Sequence, residues 1–215
     1  LRNYPLNCES AEQIVRQIAD VEIDDKISFV IKKTEEIMED SEYQGVRLSL
    51  DAYLDKTRIP VKIDISTGDV ITPCEISFSY QLMFENRTIP LLAYPPETVL
   101  AEKLETILSR GEANTRLRDF YDVYILQRED FVVTPDALCH ALLATCRKRG
   151  HEDLLHTYAS ILNEVRQSGA MRAQWMKYQS DFDYAAGITW DTVLDTVETL
   201  CMKTLDDHAF GDELP

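Results

Sequence analysis

Paired cysteines, zinc-ligand spacing and long apolar runs are all missing from this 215-residue chain, and each absence excludes a class of function. The five cysteines (Cys8, Cys74, Cys139, Cys146, Cys201) are odd in number and contain no C-x-x-C. A disulfide framework and a metal knuckle are therefore excluded, and buried, reduced thiols are expected. The four histidines are scattered without an H-E-x-x-H pair, which excludes a zinc hydrolase of that type. No apolar run approaches the ~20 residues that span a bilayer, and the start carries no charged-apolar-small leader pattern. A soluble, cytoplasmic protein with no membrane partner is expected. Basic charge is also scarce: 22 Lys and Arg face 38 Asp and Glu, a net charge of −16. A broad nucleic-acid face needs the opposite balance.

What is present fits an ordinary globular protein, with 45% apolar and 28% charged residues. Ser10 and Gln13 have capping-box spacing ahead of Ile14, Val15 and Ile18, so a helix is expected there. Residues 27–33 read as a strand, followed by a short acidic helix or turn through Glu42. Residues 45–54 and 59–66 alternate with period two and form two half-buried strands. A four-residue loop, DKTR, closes them into a hairpin with Asp51 opposite Lys62 and Ser49 opposite Asp64. Asp64 is then a mid-sheet carboxylate with no local cation. Residues 71–92 are β-leaning but irregular. Pro95 and Pro96 mark the start of a helix, with Glu97 at the positive end of its dipole, that ends at Gly111, and Asn114 or Thr115 caps the next one, to about Arg128. Helices at 136–148, 151–167, 169–178 and 190–204 complete the chain, with Trp175 and Trp190 as anchors. The order predicts an α+β fold with residues 1–128 as the mixed core and 129–215 as a helical region ending in an acidic tail.

The acidity is uneven. Residues 1–93 carry 17 acidic and 10 basic side chains and residues 129–215 carry 15 and 7, whereas residues 94–128 carry 6 and 5. Three arginines against Glu112 make Arg110–Arg118 net positive, so a phosphate is most at home there. On the first helix Leu100, Ala101, Leu104, Ile107 and Leu108 form the buried stripe. Lys103 lies at its edge with Arg110 on the same side, and Glu102 and Glu105 face solvent. On the second helix Asp119 and Asp122 share one strip of a largely apolar surface. A buried carboxylate needs a cation, a donor or a metal. Pattern alone allows two readings: a Lys103–Asp bridge that braces two helices, or half of a phosphate-handling site.

The run Y-P-P-E-T-V-L-A-E-K-L-E…S-R-G-E-A-N-T-R-L-R-D-F-Y-D-V resembles the AbiEii/AbiGii-type nucleotidyltransferases, toxins of type IV toxin–antitoxin systems. So do Y-Q-G-V-R-L and I-D-I-S-T-G-D, and the resemblance covers about residues 1–128. It implies a DNA-polymerase-β-like core, Mg²⁺, an NTP whose nucleotide passes to an acceptor, RNA foremost, and a cognate antitoxin. Carried over residue by residue, Lys103 matches the lysine that contacts nucleotide phosphates, and Asp119 and Asp122 match the late acidic motif. Asp64 is the expected strand-borne metal ligand, and Arg110 and Arg116 join Lys103 as cations for the nucleotide. Such groups suit displacement at phosphorus, which needs carboxylate-held metal and cationic clamps. The family's Gly-Gly-Ser/Thr turn and Asp-x-Asp pair are not found in this sequence. Its opening residues, LRNYPL, resemble the family segment directly C-terminal to that motif. The chain as given is therefore expected to be a truncated, catalytically incomplete form. The competing expectation is a non-catalytic binding module that keeps the fold and engages a protein partner.

Overall fold

A computed structural model describes residues 6–38, 44–128 and 133–206. The chain divides into two compact units, Leu1–Asp69 and Val70–Pro215. Among the described residues, no helix is long and apolar enough to cross a membrane.

In the first unit, helix α1 (Cys8–Ala19) precedes strands β1 (Ile27–Met38), β2 (Gln44–Leu54) and β3 (Thr57–Ser66), which form an antiparallel sheet in the order β1-β2-β3. The helix starts one turn before the expected cap. Asn7 Oδ1 accepts from the Ser10 amide at 2.8 Å, and Ser10 Oγ accepts from the Asn7 amide at 3.0 Å. Val46, Leu48 and Leu50 of β2 are buried with Ala11 and Val15 of α1, and Val61, Ile63 and Ile65 pack at the margin. The period-two pattern thus puts its apolar face under the helix.

Three expectations for this sheet need correction. Strand β1 continues through Thr34–Met38, because Glu35 and Glu36 pair with Arg47 and Val46 along the long strand β2; residues 39–43 lie outside the described residues. The β2–β3 turn is two residues, Asp55 and Lys56, with Asp55 at φ 50°, a conformation that Asp tolerates better than most residues. That shorter turn shifts the register, placing Asp64 opposite Arg47, Ser49 opposite Lys62 and Asp51 opposite Pro60. Arg47 grips Asp64 with two 2.7 Å hydrogen bonds, so Asp64 does have a local cation. The Arg47 fork holds the Asp64 carboxyl below its usual range. Asp51 is buried between Arg58 at 3.5 Å and Lys32 at 3.9 Å rather than paired to Lys62.

The second unit begins with the hairpin β4 (Ile76–Gln81) and β5 (Thr88–Ala93). Helices α2 (Pro96–Arg110), α3 (Leu117–Leu126), α4 (Pro135–Arg149), α5 (Leu154–Gln167), α6 (Gly169–Asp181) and α7 (Trp190–Leu205) come next. Their apolar stripes meet in one core containing Leu100, Leu104, Phe120, Leu142, Leu162, Trp175 and Trp190. The helix pair α2–α3 shares this core with the later helices. Thr134, Ser168 and Thr189 cap α4, α6 and α7 with their side-chain oxygens, which sets where each helix starts.

Glu105, expected at the solvent, is instead 1% exposed. The end of α4 brings Arg149 against Glu105 Oε2, and His151 Nδ1 lies 2.6 Å from Oε1. A distant segment therefore supplies the charge that a single-helix pattern cannot show. Glu105→Ala removes the buried carboxylate that Arg149 and His151 share, and a loss of about 3–5 kcal/mol in urea unfolding is expected. The double variant Glu105→Leu, Arg149→Met recovers most of it, since an apolar pair of similar volume replaces the ions. A loss below about 1 kcal/mol for Glu105→Ala contradicts the assignment.

The thiols also divide by position. Cys139, Cys146 and Cys201 are buried as expected, while Cys8 is half-buried and Cys74 exposed. Burial pushes the Cys146 and Cys201 thiols up to about 12 and raises Cys139. Brief alkylation of the native chain at pH 8 is expected to label Cys74 first and to spare those three, read by peptide mass spectrometry.

Candidate functional site

Two turns and a buried asparagine build the site. Helix α2 is anchored at its start by Thr98, whose hydroxyl accepts from the Thr72 amide at 2.9 Å and donates to the Thr72 carbonyl at 3.0 Å. It stops at Gly111, whose φ of 49° ends the helix where a β-carbon would be strained. Asn114, fully buried, accepts from the Arg116 amide at 2.7 Å. Asn114 therefore closes the loop ahead of α3, and Arg116 occupies the helix cap itself. The reversal lays the first turn of α3 beside the middle of α2.

That placement brings Lys103, Asp119 and Asp122 together. Lys103 Nζ donates to Asp119 Oδ1 at 3.1 Å and lies 2.6 Å from Asp122 Oδ2. Arg116 Nε is 2.9 Å from Asp119 Oδ2, and Arg118 Nε is 3.8 Å from Asp122 Oδ2. Exposure rises outward: 3% for the Asp119 side chain, 19% for Lys103, 24% for Asp122, then 48% for Arg116 and 77% for Arg118. An inner ion cluster is thus ringed by solvated arginines. Asp119 also sits in the first turn of α3, where the helix dipole favours negative charge. Among the described residues its buried Oδ2 accepts no hydrogen bond, and the Arg116 charge 2.9 Å away offsets it.

The cluster opens into a cleft of about 750 Å³, walled on one side by Lys103, Arg116, Arg118, Asp119 and Asp122. The opposite wall is α6, with Gln174, Lys177, Tyr178 and Asp181, then Phe182 just beyond it. The four α6 residues fall at i, i+3, i+4 and i+7, one helical face, while Met171 and Trp175 turn into the core. That spacing was the available signal for this wall, though a polar helical face commonly means only solvent. Burial, then the bond to Tyr184, holds the Tyr178 hydroxyl well above the usual phenol range, so it stays protonated. Arg110 does not line the cleft; it lies seven residues, about 10 Å, along α2 from Lys103. Asp64 belongs to the other unit, where Arg47 holds it.

Chemically, four cations face three carboxylates across this cleft. Lys103 has three N–H donors, and two carboxylates leave one to reach an anion. The divalent metal implied by the resemblance fits less well. Among the described residues no group of three or more His, Cys, Asp or Glu is placed to hold a metal. Between Asp119 and Asp122 stands the Lys103 ammonium, where a cation would have to displace it.

Lys103→Met keeps the bulk of the side chain and removes its charge. Asp119 retains Arg116, so the expected loss is about 3 kcal/mol, the low end for an isolated buried charge, read by urea unfolding. A cycle with Asp119→Asn is expected to show positive coupling; strict additivity contradicts the pairing.

No curated protein and no solved structure matches the chain. A family model does, over residues 8–196, and its description is "Nucleotidyl transferase AbiEii toxin, Type IV TA system". The match spans both units, including the Lys103–Asp119–Asp122 cluster and the α6 wall. With its mixed helix and sheet, the chain belongs to the AbiEii nucleotidyltransferase toxin family of type IV toxin–antitoxin systems.

Proposed function

We propose that the cleft between α3 and α6 binds the phosphates of an NTP whose nucleotide is transferred to an acceptor, RNA foremost, as the toxin's reaction. A DNA-polymerase-β-like core over residues 1–128 and a helical region over 129–215 complete the proposal. One observation carries it: a lysine held by two carboxylates on the inner side of the cation-rich cleft, in a chain of net charge −16. Lys103 is the inner clamp on phosphate oxygens, and Arg116, Arg118 and Lys177 are outer clamps that meet the anion first. Asp119 and Asp122 orient Lys103 and keep its charge from collapsing onto one partner. A preorganised cation of this kind stabilises negative charge in a phosphoryl-transfer transition state without reorganising. Asp64, satisfied by Arg47, has no part in this scheme. The family implies a cognate antitoxin as protein partner.

The test is binding, then transfer. Inorganic tripolyphosphate and NTP are titrated into the chain at low and high salt. Lys103→Met is expected to weaken both at least about tenfold, and affinity is expected to fall as salt screens the cations. Transfer of α-labelled nucleotide to RNA, with Mg²⁺ supplied, is expected to need Lys103 wherever it occurs. Undiminished binding by a folded Lys103→Met variant overturns the assignment.

A further inference from the structure

At the C-terminal end of α6 the cleft wall changes from charge to rings. Phe182 lines the cleft with 41% of its surface exposed, and Tyr184 beside it is 52% exposed. The two rings stack at 5.4 Å with 29° between planes, and Phe182 lies 4.7 Å from the Tyr178 ring. Behind them Tyr178 stacks on buried Trp175 at 5.3 Å, and its hydroxyl is 2.9 Å from that of Tyr184. Trp175 Nε1 donates to the Ile188 carbonyl at 2.8 Å, and Gln179 Nε2 donates to the Ile188 and Ala185 carbonyls at 2.9 and 3.3 Å. The exposed rings are thus backed by a stack tied to the core. Isolated exposed aromatics are ordinary, but Phe182, with Tyr178 beside it, lines the cavity that holds Lys103, Arg116, Arg118 and Lys177, and Tyr184 supports Phe182 from outside that lining. A ligand that uses both halves is anionic at one end and flat and aromatic at the other. A volume of about 750 Å³ is within the range of small-molecule sites.

Resting on the phosphate assignment, we infer that Phe182, supported by Tyr184 and Tyr178, is the nucleobase-stacking subsite of this cleft. The triphosphate lies on the cations, and the base lies against the exposed face of Phe182. Stacking accepts any base, because each has a π-face. Asp181, next to Phe182 on the same wall, borders this subsite.

The test separates base from phosphate. Calorimetric titrations of the whole chain use inorganic tripolyphosphate, each of the four NTPs, and adenosine. Wild type is expected to bind NTPs about tenfold more tightly than tripolyphosphate, the low end of what one stacked base contributes. Phe182→Leu keeps an apolar side chain and is expected to erase that difference while leaving tripolyphosphate affinity within about twofold. Phe182→Trp is expected to retain it, and melting curves confirm that both variants fold. Equal wild-type affinity for NTPs and tripolyphosphate overturns the subsite, and so does a Phe182→Leu effect of equal size on both. If wild type binds no tripolyphosphate, the phosphate assignment fails by itself. Adenosine then decides the stacking subsite, surviving only if Phe182→Leu weakens its binding.

Discussion

Asp119 imposes the constraint on which the second unit depends. A carboxylate with a 3% exposed side chain is costly to bury among apolar residues without cations at hand. Lys103 must therefore come from the neighbouring helix, and the loop over residues 111–116 must be short and fixed enough to bring it there. Gly111 and Asn114 meet that need by ending α2 and closing the turn. Phe120, one residue on, anchors the opposite face of α3 against Trp190 at 5.1 Å. The polar edge and the apolar face of one helix thus hold its position jointly. The cleft exists because α6, packed by Trp175 on the same core, stands across from that polar edge.

Electrostatic range explains how an acidic chain can hold an anion. Charges farther away than a Debye length, about 8 Å at physiological salt, are largely screened. Within the cleft Lys103, Arg116, Arg118 and Lys177 outnumber Asp119, Asp122 and Asp181, so the charge balance there is not that of the whole chain. Local arrangement outweighs net charge at contact distance. The same acidity disfavours non-specific phosphate binding elsewhere on the surface.

Much of the site was legible because its parts are near in sequence. Lys103 and Asp119 are joined by one tight reversal, so helical periodicity and the cost of a buried charge suffice to pair them. The α6 wall was not, since Gln174, Lys177 and Asp181 read equally well as a solvated face until the core fixes the direction of Trp175. Glu105 shows the same limit: its partners Arg149 and His151 arrive from the end of α4, and nothing on α2 announces them. In the sheet, alternation gave β2 and β3 and the burial of Val46, Leu48 and Leu50, but it missed the end of β1, the exposure of Leu54 and the burial of Asp51. The register failed because Asp55 accepts a left-handed conformation, which permits a two-residue turn where four were counted. That slip of two residues turned Asp64 from an unpartnered carboxylate into the partner of Arg47. The strands β4 and β5 were only loosely placed: Ile76, Phe78 and Tyr80 do alternate with Ser77, Ser79 and Gln81, but the run is short, and every residue of β4 is exposed, so the alternation marks no buried face.

The most direct measurement is an experimental structure of the chain with a non-hydrolysable NTP. Phosphate oxygens are expected within hydrogen-bond distance of Lys103 and at least one of Arg116, Arg118 and Lys177, with Asp119 still bonded to the lysine. A nucleotide bound elsewhere, with Lys103 still engaged only by Asp119 and Asp122, would contradict the phosphate assignment and leave the cluster as a brace between two helices.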